Sequence, residues 1–178
     1  MVIVALAALV AGAGAAAAGV FLVGGDEGSA PRSGATGQGE PLSGPEVRLG
    51  GADVTTGSVV SLDKLEDRPV VVTVWASWCQ ACPAQAEPLR RFATTNARAS
   101  ILTVDTQEDA EAARAFLAEH ELTIPTIADE DGHIAAKLGV RELPTTIFLT
   151  SDHRVASMWE GPAELGRFKA GLAAARSG

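Results

Sequence analysis

The sequence predicts one α/β domain of about 130 residues that begins near Glu46. Beyond Glu46, short apolar runs alternate with longer segments of helical periodicity, which is typical of strands separated by helices. The run Val70–Trp75 is almost entirely β-branched or aromatic, as a central strand buried on both faces requires. A hydrophobic share of 47% with 20% charged residues is sufficient to bury a core.

The first half of this domain is predicted to hold a hairpin, a central strand and a helix. Val47–Leu49 and Val59–Ser61 flank Gly-rich turns and therefore indicate a small hairpin. After the strand Val70–Trp75, we expect a helix from about Gln80 to Thr94. Pro88 should kink this helix, because proline cannot donate a backbone hydrogen bond inside it.

The second half is predicted to alternate between strands and helices up to a terminal hairpin and helix. Thr106 and Asp109 match a capping box, which favours a helix start at Thr106. The other predicted elements are strands at Ile101–Val104 and Ile124–Ile127, a short helix near Ile134–Leu138, a hairpin of Thr145–Leu149 and Arg154–Trp159, and a last helix from about Pro162.

Net charge and cysteine content exclude several classes of function. The formal net charge of −8 makes nucleic acid a poor partner, because an acidic chain repels the phosphate backbone. The chain holds only two cysteines, Cys79 and Cys82, so a multi-disulfide scaffold and a four-thiolate zinc site are both excluded.

The N-terminal segment 1–23 is predicted to be a membrane anchor or signal segment. Val2 to Val23 contains no charged, amide or hydroxyl side chain, and as a helix it would span a hydrocarbon core of roughly 30 Å. We expect an uncleaved anchor, because the apolar stretch exceeds the usual signal length of about 7–15 residues; a cleaved signal peptide is the alternative. Residues 24–45 are rich in Gly, Ser and Pro and indicate a flexible linker to the domain at 46–178.

The motif Cys79-Gln-Ala-Cys82 lies where the buried strand is expected to turn into a helix. Backbone N–H groups and the helix dipole at a helix N-terminus stabilise a thiolate, so Cys79 is the expected nucleophile. Cys82, one turn further on, can resolve a mixed disulfide. A structural disulfide, a zinc site that uses distant histidines, and Cu(I) binding by the two thiolates remain as alternatives.

Two stretches resemble a known family: VVVTVWASWCQAC, which ends at Cys82, and GVRELPTTIFL, from Gly139 to Leu149. With the apolar N-terminal segment, they resemble the membrane-anchored thioredoxin-like thiol–disulfide oxidoreductases of the TlpA/ResA type, which include cytochrome c maturation reductases. The resemblance covers about Glu46 to Ala174. It implies a thioredoxin fold with a central mixed sheet flanked by helices, an extra N-terminal β-hairpin within Glu46–Leu65, and a central inserted helix and strand within Thr106–Leu138.

The resemblance also implies roles for the residues around the dithiol. Pro144 would be a cis-proline that faces the disulfide, and Leu143 would offer its backbone to substrate. Trp78, beside Cys79, is expected to line the substrate groove. Cys79 and Cys82 would then exchange disulfides with thiol- or disulfide-bearing partner proteins, with no cofactor and no metal.

The chain departs from this family at two positions that bear on proton transfer. Thr73 stands where thioredoxin has a buried aspartate, and Gln85 stands where TlpA/ResA-type proteins commonly have a glutamate. Both usual proton acceptors for Cys82 are therefore missing. Glu142 is a candidate substitute, with a solvated loop carboxylate as the alternative, whereas Glu87 is expected to face elsewhere.

Taken together, the sequence predicts an extracytoplasmic, membrane-tethered, single-pass and monomeric thiol–disulfide oxidoreductase. By resemblance, it would reduce apocytochrome c or other secreted thiols and receive electrons from a membrane redox donor. An oxidase of exported proteins and a non-catalytic Cu(I)-carrying module are the alternatives. The dipeptide Gln80-Ala81 between the cysteines does not fix the direction of electron flow.

Overall fold

The computed structural model describes residues 44–65, 67–96 and 100–178. The predicted anchor at 1–23 and nearly all of the predicted linker at 24–45 lie outside these residues. None of the helices within these ranges is both long and apolar enough to cross a membrane.

The described elements alternate between strands and helices, as predicted. In chain order they are β1 (Gly50–Ala52), β2 (Val59–Ser61), a 3₁₀ turn (Leu62–Lys64), β3 (Val70–Trp75), α1 (Pro83–Thr95), β4 (Ser100–Thr106), α2 (Ala110–Glu119), β5 (Thr126–Asp129), α3 (His133–Lys137), β6 (Thr145–Leu149), β7 (Val155–Glu160) and α4 (Leu165–Ser177). The central strand β3 and the hairpin strand β6 have the bounds that the sequence predicts.

A mixed five-stranded sheet forms the centre of the fold, in the order β5-β4-β3-β6-β7. The middle strand β3 pairs in parallel with β4 and antiparallel with β6, and all six of its residues are buried. β1 and β2 form a separate antiparallel pair. This is the mixed-sheet α/β thioredoxin fold, with an additional N-terminal hairpin, that the sequence predicts.

Alternate residues of β3 supply two apolar cores, one on each face of the sheet. Val71 and Trp75 belong to the core that packs against α1, α2 and α4. In this core Trp75 stacks on Phe116 of α2 with ring centroids 4.4 Å apart. Burial of one such aromatic side chain stabilises the fold by about 1.5–3 kcal/mol. The opposite core packs against α3 and the segment that holds Leu49 and Leu62.

The N-terminal hairpin exists, but its first strand is Gly50–Ala52 and not Val47–Leu49. The two glycines that predicted a turn are strand residues here. A Cβ on Gly51 would lie 2.6 Å from Cγ2 of Ile127, so glycine permits a close approach of the hairpin to the main sheet. The turn lies further on, where the carboxylate of Asp53 accepts hydrogen bonds from Thr55 and Thr56.

The predicted capping box at Thr106 is wrong. Thr106 is the last residue of β4, and its hydroxyl donates to the carboxylate of Asp129 at 2.8 Å. Asp109 caps α2 instead, because its carboxylate accepts from the backbone N–H groups of Glu111 and Ala112. The strand therefore runs two residues past its predicted end at Val104.

Other boundaries also differ from the prediction; the last strand is Val155–Glu160 and not Arg154–Trp159. The strand predicted at Ile124–Ile127 is Thr126–Asp129, and the last helix begins at Leu165 and not near Pro162. The helix expected from Gln80 begins only at Pro83. This last difference changes the geometry of the dithiol.

Candidate active site

The two cysteines lie in the turn that joins β3 to α1. Cys82 is the N-cap residue of α1, and Pro83 occupies the first helical position, where its missing N–H costs nothing. The turn is closed by the N–H of Cys79 donating to Ala76 and the N–H of Cys82 donating to Cys79. Cys79 is thus in a turn before the helix, and Cys82 is at the helix terminus and not one turn inside it.

Cys79 and Cys82 are joined by a disulfide, with their Cα atoms 5.4 Å apart. Because the bond holds the Cys79 sulfur against that of the N-cap residue, both sulfurs lie at the N-terminal end of α1. The helix dipole favours negative charge there. A thiolate released from this disulfide would therefore be stabilised electrostatically.

Access to the disulfide is restricted on most sides. Cys79 is 6% exposed and Cys82 is 3% exposed, so the first cysteine is slightly the more accessible. Trp78, directly before Cys79, is 55% exposed and is one of three large apolar side chains at the described surface. The exposed apolar side chain of Trp78 therefore belongs to the direct neighbour of Cys79, the more exposed of the two cysteines.

Pro144 is close to the dithiol, and its peptide bond with Leu143 is cis, as the resemblance implies. Pro144 and Cys82 line one small cavity of about 10 Å³. The carbonyl of Pro144 accepts from the N–H of Gly161 at 2.8 Å. Among the described residues, neither the N–H nor the C=O of the half-buried Leu143 makes a backbone hydrogen bond.

A neutral hydrogen-bonded network lies on the Cys82 side of the site. Gln85 is buried in α1, and its Oε1 accepts from the N–H of Ala163 at 2.7 Å. Its Nε2 donates to the hydroxyl of Thr146 at 3.3 Å, and that hydroxyl is also 3.3 Å from the hydroxyl of Thr73. Gln85 and Thr73 line the same cavity as Cys82, whose lining includes no carboxylate.

The two other carboxylates that the sequence singled out are on the surface. Glu87 is exposed and pairs with Arg90 on the same helix, so it faces away from Cys82 as expected. Glu142 is exposed, and only its backbone carbonyl is engaged, by the Thr145 hydroxyl at 2.6 Å. The structure thus brings the Cys79–Cys82 disulfide and Pro144 together. Trp78 and Leu143 are the chain neighbours of Cys79 and Pro144, and Glu142 is exposed and does not line the cavity.

Sequence reasoning missed three polar residues beside the site. Ser77, in the turn before Cys79, donates from its N–H and its hydroxyl to the two carboxylate oxygens of Glu108. Asp105 pairs in register with Trp75 and is fully buried. The signal for Asp105 was its place directly after the predicted strand Ile101–Val104; in the structure this strand is parallel to β3, and Asp105 lies beside Trp75, where β3 ends.

Burial raises the pKa of Asp105 to about 9, and the adjacent Glu108 carboxyl group adds to this increase. The Asp105 side chain is therefore mainly protonated at neutral pH. Within the described ranges, no three His, Cys, Asp or Glu side chains are grouped as a metal site requires. The reduced Cys79–Cys82 pair offers two soft sulfur ligands.

The chain is similar in sequence to known proteins. The model of the AhpC/TSA family matches residues 45–158 of the chain. The chain is 31% identical over 124 residues to the thiol:disulfide interchange protein DsbE homolog of Paracoccus denitrificans, and the match covers 68% of each protein. It is 30% identical over 88 residues to the soluble secreted antigen MPT53 of Mycobacterium tuberculosis, a match that covers 49% of this chain.

Solved structures share the fold. A DsbF homologue from Corynebacterium diphtheriae superposes with a TM-score of 0.67 at 24% identity, and the match covers 72% of this chain and 85% of that one. The matched region spans 51% of the length of MPT53, so about half of that relative has a counterpart here.

Proposed function

The chain belongs to the AhpC/TSA family, and from this premise we propose that it is a thiol–disulfide oxidoreductase that exchanges its Cys79–Cys82 pair with cysteines of partner proteins. One observation carries the proposal. The disulfide lies at a helix N-terminus in the turn after the central strand, and Pro144 lines the same small cavity as Cys82. The names of the P. denitrificans relative and of similar proteins, which describe thiol:disulfide interchange, support it.

The proposed reaction begins with the reduced pair. The Cys79 thiolate attacks a partner disulfide, forms a mixed disulfide and releases the first partner thiolate. The Cys82 thiolate then attacks the Cys79 sulfur and releases the second partner thiolate. The partner gains two electrons, and the Cys79–Cys82 pair loses two electrons as its disulfide forms.

The surroundings of the sulfurs support this order of events. Cys79 is the more accessible of the two, so a bulky partner disulfide can reach it first. Leu143 offers an N–H and a C=O without backbone partners, as an extended substrate segment would need for a short β-like pairing. Trp78 would contact apolar side chains of the same segment.

We propose that the chain acts as a reductase for apocytochrome c or other secreted thiols and is itself reduced by a membrane donor. Oxidation of exported proteins is the alternative direction. For this two-electron couple, about 30 mV changes the equilibrium tenfold, so the reduction potential of the domain decides between the two. A reduction potential of about −270 mV would favour a reductase, and one of about −120 mV would favour an oxidase.

Catalysis of insulin reduction in the presence of dithiothreitol tests the proposed function. We expect the wild-type chain to accelerate insulin precipitation and Cys79→Ser to lose the acceleration. Arg91→Lys, a change on the exposed side of α1, serves as the control and should keep it. Absence of catalysis together with tight Cu(I) binding by the wild type would overturn the proposal and favour a copper-carrying module.

We also propose that the domain at 46–178 works outside the cytoplasm, tethered by residues 1–23 through the linker at 24–45. The uncharged N-terminal segment supports the tether, and the secreted relative MPT53 supports the compartment. The native chain should remain with membranes after high-salt extraction, with its C-terminal domain accessible from outside. A soluble mature chain that starts between Gly14 and Gly28 would overturn the tether and leave export in place.

A further inference from the structure

Glu108 joins the loop after β4 to the turn that holds the dithiol. One of its carboxylate oxygens accepts from the Ser77 N–H and the other accepts from the Ser77 hydroxyl. Two donors on two oxygens match an ionised carboxylate, which is an acceptor only. Both residues are half-buried, which makes these bonds stronger than they would be in open water.

Ser77 is two residues before Cys79, within the same turn. The turn continues through the hydrogen bond from Cys79 N–H to Ala76, the residue directly before Ser77. A contact that fixes Ser77 therefore fixes the backbone on both sides of Trp78 and sets where the Cys79 sulfur lies relative to the N-terminus of α1.

The buried Asp105 lies beneath this contact. Its carboxyl group has no hydrogen-bond partner among the described residues apart from the adjacent Glu108 carboxyl group, and Nε1 of its neighbour Trp75 has none. With its pKa raised to about 9, Asp105 keeps its proton near neutral pH. The two carboxylate oxygens of Glu108 accept the two Ser77 donors.

The other charged groups that face Asp105 are also acidic: Asp109 and Asp129. Asp109 caps α2, and Asp129 accepts from Thr106 and from two N–H groups at the start of α3. Within the described ranges, neither Glu108 nor Asp105 forms an ion pair. The negative charge of Glu108 near the dithiol is thus not neutralised by a basic side chain.

We propose that Glu108 is a positioning residue for the redox site: through Ser77 it holds the turn that presents Cys79, while its charge opposes formation of the Cys79 thiolate. The inference rests on the proposed function, because it assigns Glu108 a role in that same exchange. The two effects have opposite signs. Loss of the contact moves the Cys79 sulfur away from the helix N-terminus and raises the thiol pKa, whereas loss of the charge alone lowers it.

Two substitutions separate these effects. Glu108→Ala removes both the hydrogen bonds and the charge. Glu108→Gln removes the charge but keeps both contacts. The amide oxygen can accept from the Ser77 N–H, and the amide N–H can donate to the Ser77 hydroxyl oxygen. Ser77→Ala removes one of the two hydrogen bonds and leaves the charge. Glu111→Ala, on the exposed first turn of α2, is the control that removes an equal charge without contact to the turn.

The measurement is the pH profile of iodoacetamide alkylation of the reduced full chain, with adducts assigned to Cys79 by peptide fragmentation. At pH 7 we expect Glu108→Ala to slow alkylation by about three- to tenfold and to move the midpoint to higher pH. Ser77→Ala should show a smaller change of the same sign. Glu108→Gln should move the midpoint to lower pH, and Glu111→Ala should match the wild type.

Equal profiles for the wild type, Glu108→Ala and Ser77→Ala would overturn the inference, and so would shifts of one sign for Ser77→Ala and Glu108→Gln. If Glu108→Ala does not fold, Ser77→Ala and Glu108→Gln decide the question by their opposite signs. The readout is the thiol itself and does not require turnover. Shifted profiles in a chain that fails to reduce insulin would therefore support the positioning role and reject the proposed function.

Discussion

The Gln85 side chain accepts a hydrogen bond from the backbone N–H of Ala163 at 2.7 Å and so ties α1 to the segment before α4. Its amide N–H faces the hydroxyl of Thr146. A glutamate at position 85 can keep the bond to Ala163, and the Thr146 hydroxyl can rotate to donate to it. The site is therefore built to accept a carboxylate next to Cys82, although it holds a neutral amide.

We accordingly predict that Gln85→Glu speeds resolution of the mixed disulfide. Because the cavity beside Cys82 has no carboxylate in its lining, we expect deprotonation of Cys82 to rely on water or on the exposed Glu142, whereas a carboxylate at position 85 would serve as a general base. We expect an increase of about tenfold or more near neutral pH, measured by rapid-quench trapping of the mixed disulfide.

Glu142→Gln tests the competing acceptor, and Glu87→Gln, at an exposed ion pair on the same helix, is the control. The control should leave the pH–rate profile unchanged. If Gln85→Glu and Glu142→Gln also leave the profile unchanged, proton transfer to a carboxylate does not limit resolution.

The two cysteines should have different roles. Because Cys79 is the more accessible sulfur, Cys82→Ser should accumulate covalent adducts with partner proteins that dissolve in excess reductant. Cys79→Ser should give few adducts, since the remaining Cys82 is the less exposed of the two cysteines. Non-reducing electrophoresis with mass spectrometry measures both, and adducts formed mainly through Cys82 would reverse the assignment.

Asp105 should make the free energy of unfolding depend on pH. Its pKa in the fold is about 9 against 3.8 for an unperturbed aspartate, so between these values the folded chain holds a proton that the unfolded chain has lost. By linkage, its contribution to stability falls as the pH rises through this window and is constant above it.

Asp105→Asn cannot ionise and removes this slope. From pH 5 to pH 8, the free energy of unfolding of the variant should rise relative to that of the wild type by at least about 1.4 kcal/mol. This is the free energy that corresponds to one pKa unit. Urea unfolding of the oxidised chain at both pH values measures the gain. The exposed Asp67→Asn is the control, and an equal pH slope in the wild type and Asp105→Asn would show that Asp105 ionises normally.

Two glycines of α4 should respond to alanine in opposite directions. A Cβ on Gly171 would lie 2.3 Å from the ring of the buried Phe148, so Gly171→Ala should destabilise the fold by about 1–3 kcal/mol. Gly166 is exposed with no atom within 4 Å of the added Cβ. Gly166→Ala should therefore be neutral or stabilise by up to about 1 kcal/mol. Thermal unfolding compares them, and a Tm for Gly171→Ala at or above that of the wild type would contradict the close contact.

Much of the sheet could be predicted because its signals are local. Val70–Trp75 and Thr145–Leu149 consist almost entirely of β-branched and aromatic residues, and the structure confirms both strands with these bounds. The cis bond before Pro144 and the approach of Pro144 to the dithiol followed from the family resemblance. The hydrophobic periodicity of the sequence predicted neither of these two features.

The errors occur where distant residues decide local structure. Gly51 belongs to a strand because Ile127 approaches it from another part of the chain, and Thr106 stays in its strand because Asp129 accepts from its hydroxyl. The roles of Ser77 and Glu108 were missed for the same reason, since 31 residues separate two partners that are in direct contact.

The central position of β3 also affects how the domain unfolds. Amide protons of a strand that is hydrogen-bonded on both sides exchange with solvent only when the whole domain unfolds, and β3 has β4 on one side and β6 on the other. The dithiol turn begins where this most protected segment ends. We therefore expect the proposed disulfide exchange to leave β3 folded, with conformational adjustment confined to the turn and to the incoming partner. Conditions that release β3 would abolish the site and the fold together, so activity and global structure should be lost in a single transition.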